Sequence, residues 1–292
     1  MKMDGLKRAW GIISPMVIFL AIEQIVSFLA AFTFMNSKVD VAEMLSDVQI
    51  RELQTAAAEM LVDNVVLMSG VAALLSILIF YRALNKEWLK RPYRILPTSG
   101  LFRRNIYVVL AAVGMTTAFN LGVNAFELFR YDIDYAQIAR GIYSEPLYMQ
   151  LLVIGFLMPI AEEMMFRGLI YERLSHYGNE KASIILTSIL FGVYHGTMIQ
   201  MLYAFVFSLL MLYAYKRTGT FLAPVVFHIA SNLSSLALNQ LNPLSAMGYS
   251  IGIVLFFLIG LFGLYQLKQS RLYKIIPLQK RRPGDISVEE GE

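Results

Sequence analysis

Cysteine is absent from the 292-residue chain, which excludes disulfides, thiolate-held metals and cysteine nucleophiles. Charge is sparse: Asp, Glu, Lys and Arg supply 16 % of residues against 57 % hydrophobic ones. A soluble domain usually carries about 25 % charge, so a soluble surface is excluded. Only three histidines occur, His176, His195 and His228, so any imidazole chemistry falls to them. The sequence has no His-Glu-x-x-His helix, no serine elbow, no internal repeat and no low-complexity tract. The first apolar run, 10–35, is too long for a signal-peptide core and no small-residue cleavage pattern follows it.

Apolar stretches of membrane-crossing length recur along the whole chain. Eight candidate spans are expected, near 10–35, 65–84, 106–124, 147–171, 182–196, 198–215, 221–241 and 250–267. The fifth is short and the sixth follows almost at once, so the two form a tight hairpin turned at Gly196 and Thr197. This predicts an all-α fold, a polytopic membrane bundle of about eight helices. Residues 1–268 then form one transmembrane domain and 269–292 a solvated, partly disordered cytoplasmic tail.

Charge orients the bundle. Lys7, Arg8, Lys86, Arg103, Arg104, Arg173, Lys181, Lys216 and Arg217 fall at one end, and Asp47, Glu52, Glu59, Asp63, Glu127, Asp132, Asp134 and Glu145 at the other. The positive-inside rule puts the basic end and both termini in the cytoplasm. Val41, Met44, Leu45, Val48, Leu53, Ala57, Met60 and Leu61 recur at near-helical spacing, which predicts an outer helix over 40–62. Its polar face is acidic, so it is read as a cap on the bundle and not as a lipid-binding helix.

Ionisable residues inside a span are costly, and each is a functional-site hypothesis. The fourth span carries Pro159-Ile160-Ala161-Glu162-Glu163-Met164-Met165-Phe166-Arg167. Glu163 and Arg167 are four apart and share a face, whereas Glu162 points about 100° away. Pro159 favours a local kink. The fifth span carries Phe191 to His195, and the seventh places His228 and Asn232 one turn apart. Counted from the helix ends, Glu162, His195 and His228 fall between the midplane and the cytoplasmic side. His176 belongs to a cytoplasmic loop. Taken singly, Glu163–Arg167 reads as a structural ion pair, and His228 and Asn232 as interhelical hydrogen-bonding groups. A carboxylate, two imidazoles and an amide on three neighbouring spans make a set.

Such a set suits amide hydrolysis without a covalent intermediate. Glu162 and an imidazole would hold and activate a water, and a His with an Asn would donate to the oxyanion. Ser231, Ser234 and Ser235 lie near, without a base that marks any of them as a nucleophile. The competing arrangement is a zinc site of Glu162, His195 and His228 with one open position.

At these residues the sequence resembles the CAAX protease and bacteriocin-processing (Abi) family of intramembrane endopeptidases, related to the prenyl-protein CAAX endopeptidase. That family shows Glu-Glu-x-x-x-Arg, Phe-x-x-x-His and His-x-x-x-Asn on successive helices, standing here as Glu162 to Arg167, Phe191 to His195 and His228 to Asn232. The likeness covers 145–241. It implies a multi-pass membrane protease acting on a membrane-associated, lipidated or CAAX-type protein or peptide. Glu162 and His195 would activate water, His228 and Asn232 would stabilise the oxyanion, and Glu163 with Arg167 would organise the site. Members are described as zinc-dependent and as glutamate-dependent. The rival readings are a non-catalytic scaffold or bacteriocin-immunity protein on the same fold, and a transporter, against which the lack of an inverted repeat counts.

Overall fold

The computed structural model describes residues 2–38, 46–89, 93–97, 101–241, 243–269 and 273–277, with side chains from 2–4, 93–97, 101–104 and 273–277 left aside. In chain order these are α1 (Lys2–Lys38), α2 (Asp47–Asp63), α3 (Val65–Leu89), β1 (Tyr93–Pro97), α4 (Leu101–Ala125), a 3₁₀ turn (Leu128–Tyr131) and α5 (Ile133–Ser144). There follow the long α6 (Leu147–Tyr177), α7 (Glu180–Tyr194), α8 (Met198–Thr218), α9 (Leu222–Asn239), α10 (Ala246–Gln269) and β2 (Tyr273–Pro277).

The chain is an integral, multi-pass membrane protein. Seven of the described helices are long and apolar enough to cross a membrane: α1, α3, α4, α6, α8, α9 and α10. The expected span at 182–196 is α7, and its 15 residues reach only about 22 Å. A hydrocarbon core is about 30 Å thick, so α7 stops short. It still forms the expected hairpin with α8, tied at its start by a Glu180–Lys216 ion pair. The turn uses Gly196 at φ 80°, and the Thr197 hydroxyl caps α8 on the Gln200 N–H.

Two features lie beyond the sequence reading. The strands β1 and β2 pair antiparallel, Tyr93 opposite Pro277 and Pro97 opposite Tyr273, so residues 273–277 of the segment read as a tail form part of a ribbon. The two pentapeptides read alike, Tyr-Arg-Ile-Leu-Pro and Tyr-Lys-Ile-Ile-Pro. The outer helix begins at Asp47, capped by a reciprocal Ser46–Gln49 box. Val41, Met44 and Leu45 lie outside the described residues.

Lipid cannot drive helices together by the hydrophobic effect, so close approach of small residues takes its place. The α4–α10 contact is made this way. A Cβ on Gly114 would lie 2.6 Å from the Gly260 Cα, and one on Gly263 would lie 2.5 Å from the Ala111 nitrogen. The interior holds Phe19, Phe80, Phe166, Phe191 and Phe227, each at most 2 % exposed. Leu78, Phe28, Leu258 and Phe262 face outward, as lipid-facing positions should.

Asp132 ties the outer loop to the hairpin tip. One carboxylate oxygen accepts from the Ile199 N–H at 2.8 Å and the other from the Tyr135 N–H at 3.0 Å. It thus caps α5 and satisfies the start of α8 together. Because α7 rises so little, the chain leaving α4 has to fold back towards the tip, and this lays α5 across that end of the bundle.

Two outcomes test these packing arguments. Gly114→Val forces α4 and α10 apart and costs about 2 kcal/mol, read as a lower melting temperature in detergent. Gly122→Val, where nothing lies within 4 Å of an added Cβ, leaves melting unchanged. The bonds from Ile199 and then Tyr135 hold the Asp132 carboxyl below the usual carboxylate range. Its contribution is therefore present above the unfolded value of about 3.9 and is lost as pH falls through the lower folded value. Hydrogen exchange at Ile199 and along α5 rises reversibly on acidification below about pH 4. In Asp132→Asn it is already raised at neutral pH.

Candidate functional site

The middle of α6 is buried on all sides. From Ala161 to Tyr171 no residue rises above the buried class, and Glu163 and Arg167 are fully enclosed at 0 % exposure. Arg167 Nη1 donates to Glu163 Oε1 at 2.8 Å, and Arg167 Nη2 donates to the Ser208 hydroxyl at 2.9 Å. Glu163 Oε1 also lies 2.9 Å from His228 Nδ1. A carboxylate only accepts, so this nitrogen carries the proton and His228 Nε2 is left to face outward from the pair.

Phe191 explains why a phenylalanine opens the Phe-x-x-x-His stretch. Its ring lies under the Arg167 guanidinium at 4.4 Å, within the range of a desolvated cation–π contact. Ring centroids of His195 and His228 stand 4.7 and 5.7 Å from it. One ring thus spaces both imidazoles and covers the buried cation.

Glu162 takes a different course. Its Oε2 is buried without a hydrogen-bond partner among the described residues and lies 3.8 Å from His228 Nε2. Glu162, His195, His228 and Asn232 all border one cavity of about 250 Å³. His195 C-caps α7 at the hairpin tip, and its Nδ1 pairs with the Phe191 carbonyl at 2.8 Å. A carbonyl only accepts, so Nδ1 holds the proton and Nε2 keeps a lone pair.

Asn232 has a backbone task. Residues Gln150–Leu157 are π-helical, and the Met158 N–H bonds the Val153 carbonyl five residues back. The next bond in that register would run from residue 159 to Ile154, but Pro159 has no N–H. Asn232 Nδ2 donates to the Ile154 carbonyl instead, at 2.7 Å. A second π-helical stretch, Met164–Tyr171, follows the acidic pair. Such widened turns recur at functional sites.

The zinc arrangement requires Glu162, His195 and His228 to converge on one point. Among the described residues no three His, Asp or Glu side chains converge as a metal site. Glu162 and His228 approach each other, but the third donor does not join them. The residues as they stand do not fit that centre.

Sequence reasoning singled out Glu162, Glu163, Arg167, His195, His228 and Asn232, which the structure gathers in one place, and left out His176, which is bonded to the Glu172 carbonyl. It missed Ser208, the second partner of Arg167. It also missed Glu23, a carboxylate within the first span, which lies in electrostatic reach of Glu162 and Tyr194. The signal for Glu23 was available, since an acid in an apolar run marks itself. Thr116 and Asn120 were missed too. They bond Ser231 and Ser235 at 2.9 and 2.7 Å.

A polytopic helical bundle thus holds an acid, two imidazoles and an amide at one buried cavity. Residues 144–234 match the family described as type II CAAX prenyl endopeptidase Rce1-like, a stretch that contains the three motifs. The chain is also 26 % identical over 89 residues to the UPF0177 protein YxdF of Lactococcus lactis subsp. lactis (strain IL1403). That alignment takes in 30 % of this chain and 49 % of the relative, so the chain spans about half of the relative's length. No solved structure matches.

Removing one partner of a buried ion pair costs about 3–5 kcal/mol, while replacing both is close to neutral. Arg167→Met therefore lowers folded yield and melting temperature sharply. The double variant Glu163→Gln with Arg167→Met recovers most of the loss, as thermal unfolding of purified protein will show.

Proposed function

We propose that this chain is an intramembrane endopeptidase that hydrolyses a peptide bond of a membrane-associated protein or peptide with an activated water. The observation that carries the reading is the buried Glu162 Oε2, without a hydrogen-bond partner among the described residues and facing a cavity across from His228 Nε2 at 3.8 Å. A gap of that size between two acceptors suits a water or a reacting group, not a direct bond. A carboxylate oxygen buried in a spanning helix with no donor to accept from is otherwise costly.

In this reading, water at the cavity floor donates to Glu162 and to His195 Nε2, and its oxygen attacks the scissile carbonyl carbon. Glu162 takes the proton and passes it across to His228 Nε2. The resulting imidazolium is held through Nδ1 by Glu163, which Arg167 and Ser208 fix in place. His228 then donates, first to the oxyanion and then to the leaving amine as the C–N bond breaks. The oxyanion role assigned to His228 from sequence thus depends on its having received that proton. Asn232 keeps one N–H for the oxyanion while the other serves Ile154. Electrostatic help of this kind is commonly the largest catalytic contribution.

The scaffold or immunity reading takes its support from the same residues, because Glu163, Arg167, Ser208 and His228 also lock three helices together. One pair of measurements separates the two. Glu162→Gln keeps the shape and volume of the side chain and lowers cleavage of a membrane-tethered peptide at least about 10³-fold, with melting unchanged. Wild-type cleavage survives a chelator. Undiminished turnover by the variant sinks the peptidase reading, and loss of turnover on chelation sinks the metal-free form of it.

A further inference from the structure

The polar residues that the motifs do not absorb form a line. Thr116, Asn120 and Asn124 are spaced by four on α4, and Ser231, Ser235 and Asn239 are spaced by four on α9. The facing members bond in pairs, Thr116 to Ser231 and Asn120 to Ser235. The seam begins one turn beyond His228 and runs to the ends of both helices. The cavity at the site borders its lower part, and a second cavity of about 590 Å³ borders Asn120, Asn124, Ser235 and Asn239. The two share Tyr135, Ala139 and Tyr143 of α5 as a roof.

The opposite direction is sealed. On α6, Phe166, Leu169 and Ile170 are each at no more than 1 % exposure. On α8, Met211 and Leu212, and on α9, Phe227, close the same level at no more than 2 %. Below Glu162 and His228 the bundle is therefore solid, while above them side chains such as Asn120, Tyr203 and Asn232 are only partly buried. The end that opens carries Glu127, Asp132, Asp134 and Glu145 against Arg130 and Arg140, and the sealed end carries Arg173, Lys181, Lys216 and Arg217 against Glu172 and Glu180.

We infer that the site opens towards the acidic, α5 end of the bundle along this polar seam, and that its substrate is a polypeptide segment presented on the non-cytoplasmic side of the membrane. The side follows from charge, since the basic end is the cytoplasmic one. The substrate chemistry follows from spacing. Hydroxyls and amides four residues apart on a helix repeat every 6 Å or so, close to the two-residue repeat of about 6.7 Å in an extended chain. Each hydroxyl and amide keeps hydrogen-bonding capacity beyond its pair, so a strand lying along the seam can use it for its peptide groups at each step, whereas a hydrocarbon tail has nothing to offer it. This rests on the peptidase reading for what happens at the cavity floor, but the direction of access stands on packing alone.

The lack of cysteine makes the test clean. Single variants Asn239→Cys, Ser235→Cys and, at the other end, Lys181→Cys are made in the Glu162→Gln chain, and intact cells are treated with a membrane-impermeant maleimide. Asn239→Cys and Ser235→Cys are expected to label, and Lys181→Cys only after permeabilisation. An unstructured peptide mixture added outside should slow labelling of Ser235→Cys several-fold and leave Asn239→Cys less affected. Protection of Ser235→Cys in intact cells, with or without reaction after permeabilisation, overturns the direction of access. Labelling that the peptides leave untouched overturns the polypeptide substrate. Neither readout needs turnover, so failure of the peptidase reading would show separately.

Discussion

A guanidinium with no water around it governs this structure. Arg167 sits at the centre of a membrane helix at 0 % exposure, where an unpaired charge is worth several kcal/mol against folding. Everything within reach answers to it. Glu163 neutralises it, Ser208 takes a second N–H, and Phe191 covers its face. Because those three stand on three different helices, pairing the charge fixes α6, α7 and α8 against one another. His228 is then positioned by the carboxylate that Arg167 holds, and both imidazoles are spaced by the ring that Arg167 rests on. The site's geometry is a by-product of solving a desolvation problem.

Much of this was legible in the sequence, for physical reasons that can be named. Apolar length marks spans, so the helices of the bundle were found at nearly their true positions. The cost of charge in lipid singles out Glu162, Glu163 and Arg167, and the 3.6-residue period divides the pair from the odd acid. Two of three histidines lie in apolar runs, which leaves little choice of partner. The hairpin turn was visible because Gly196 has no competitor there.

What stayed hidden depends on groups far apart in the chain or on backbone detail. Nothing in 147–171 announces that the helix widens on either side of the acids, and the task of Asn232 appears only once the Ile154 carbonyl is seen to lack Pro159 as a donor. The short α7 was counted as a span because its composition is right and only its length is not. The ribbon of β1 and β2 joins segments about 180 residues apart, a distance over which five-residue patterns carry almost no signal. Glu23 is a different case. It is legible as an acid in an apolar run, and no motif accompanies it in the first span.

The widened turns of α6 bear on how the chain can change in length. A π turn fits an extra residue into nearly the same rise as an α turn. Deleting one residue between 150 and 157 would let that stretch relax to ordinary α geometry and leave the helix spanning the membrane as before. Phase would be kept as well, because the surplus residue sits within a single widened turn. An equal deletion from an ordinary α stretch would rotate everything beyond it by about 100°, enough to turn Glu162 off the cavity floor. In α10 such a rotation would mostly redistribute lipid-facing side chains, apart from its glycine contacts. The widened turns are thus the places where the helix that carries the acids can lose a residue while its charges keep their direction.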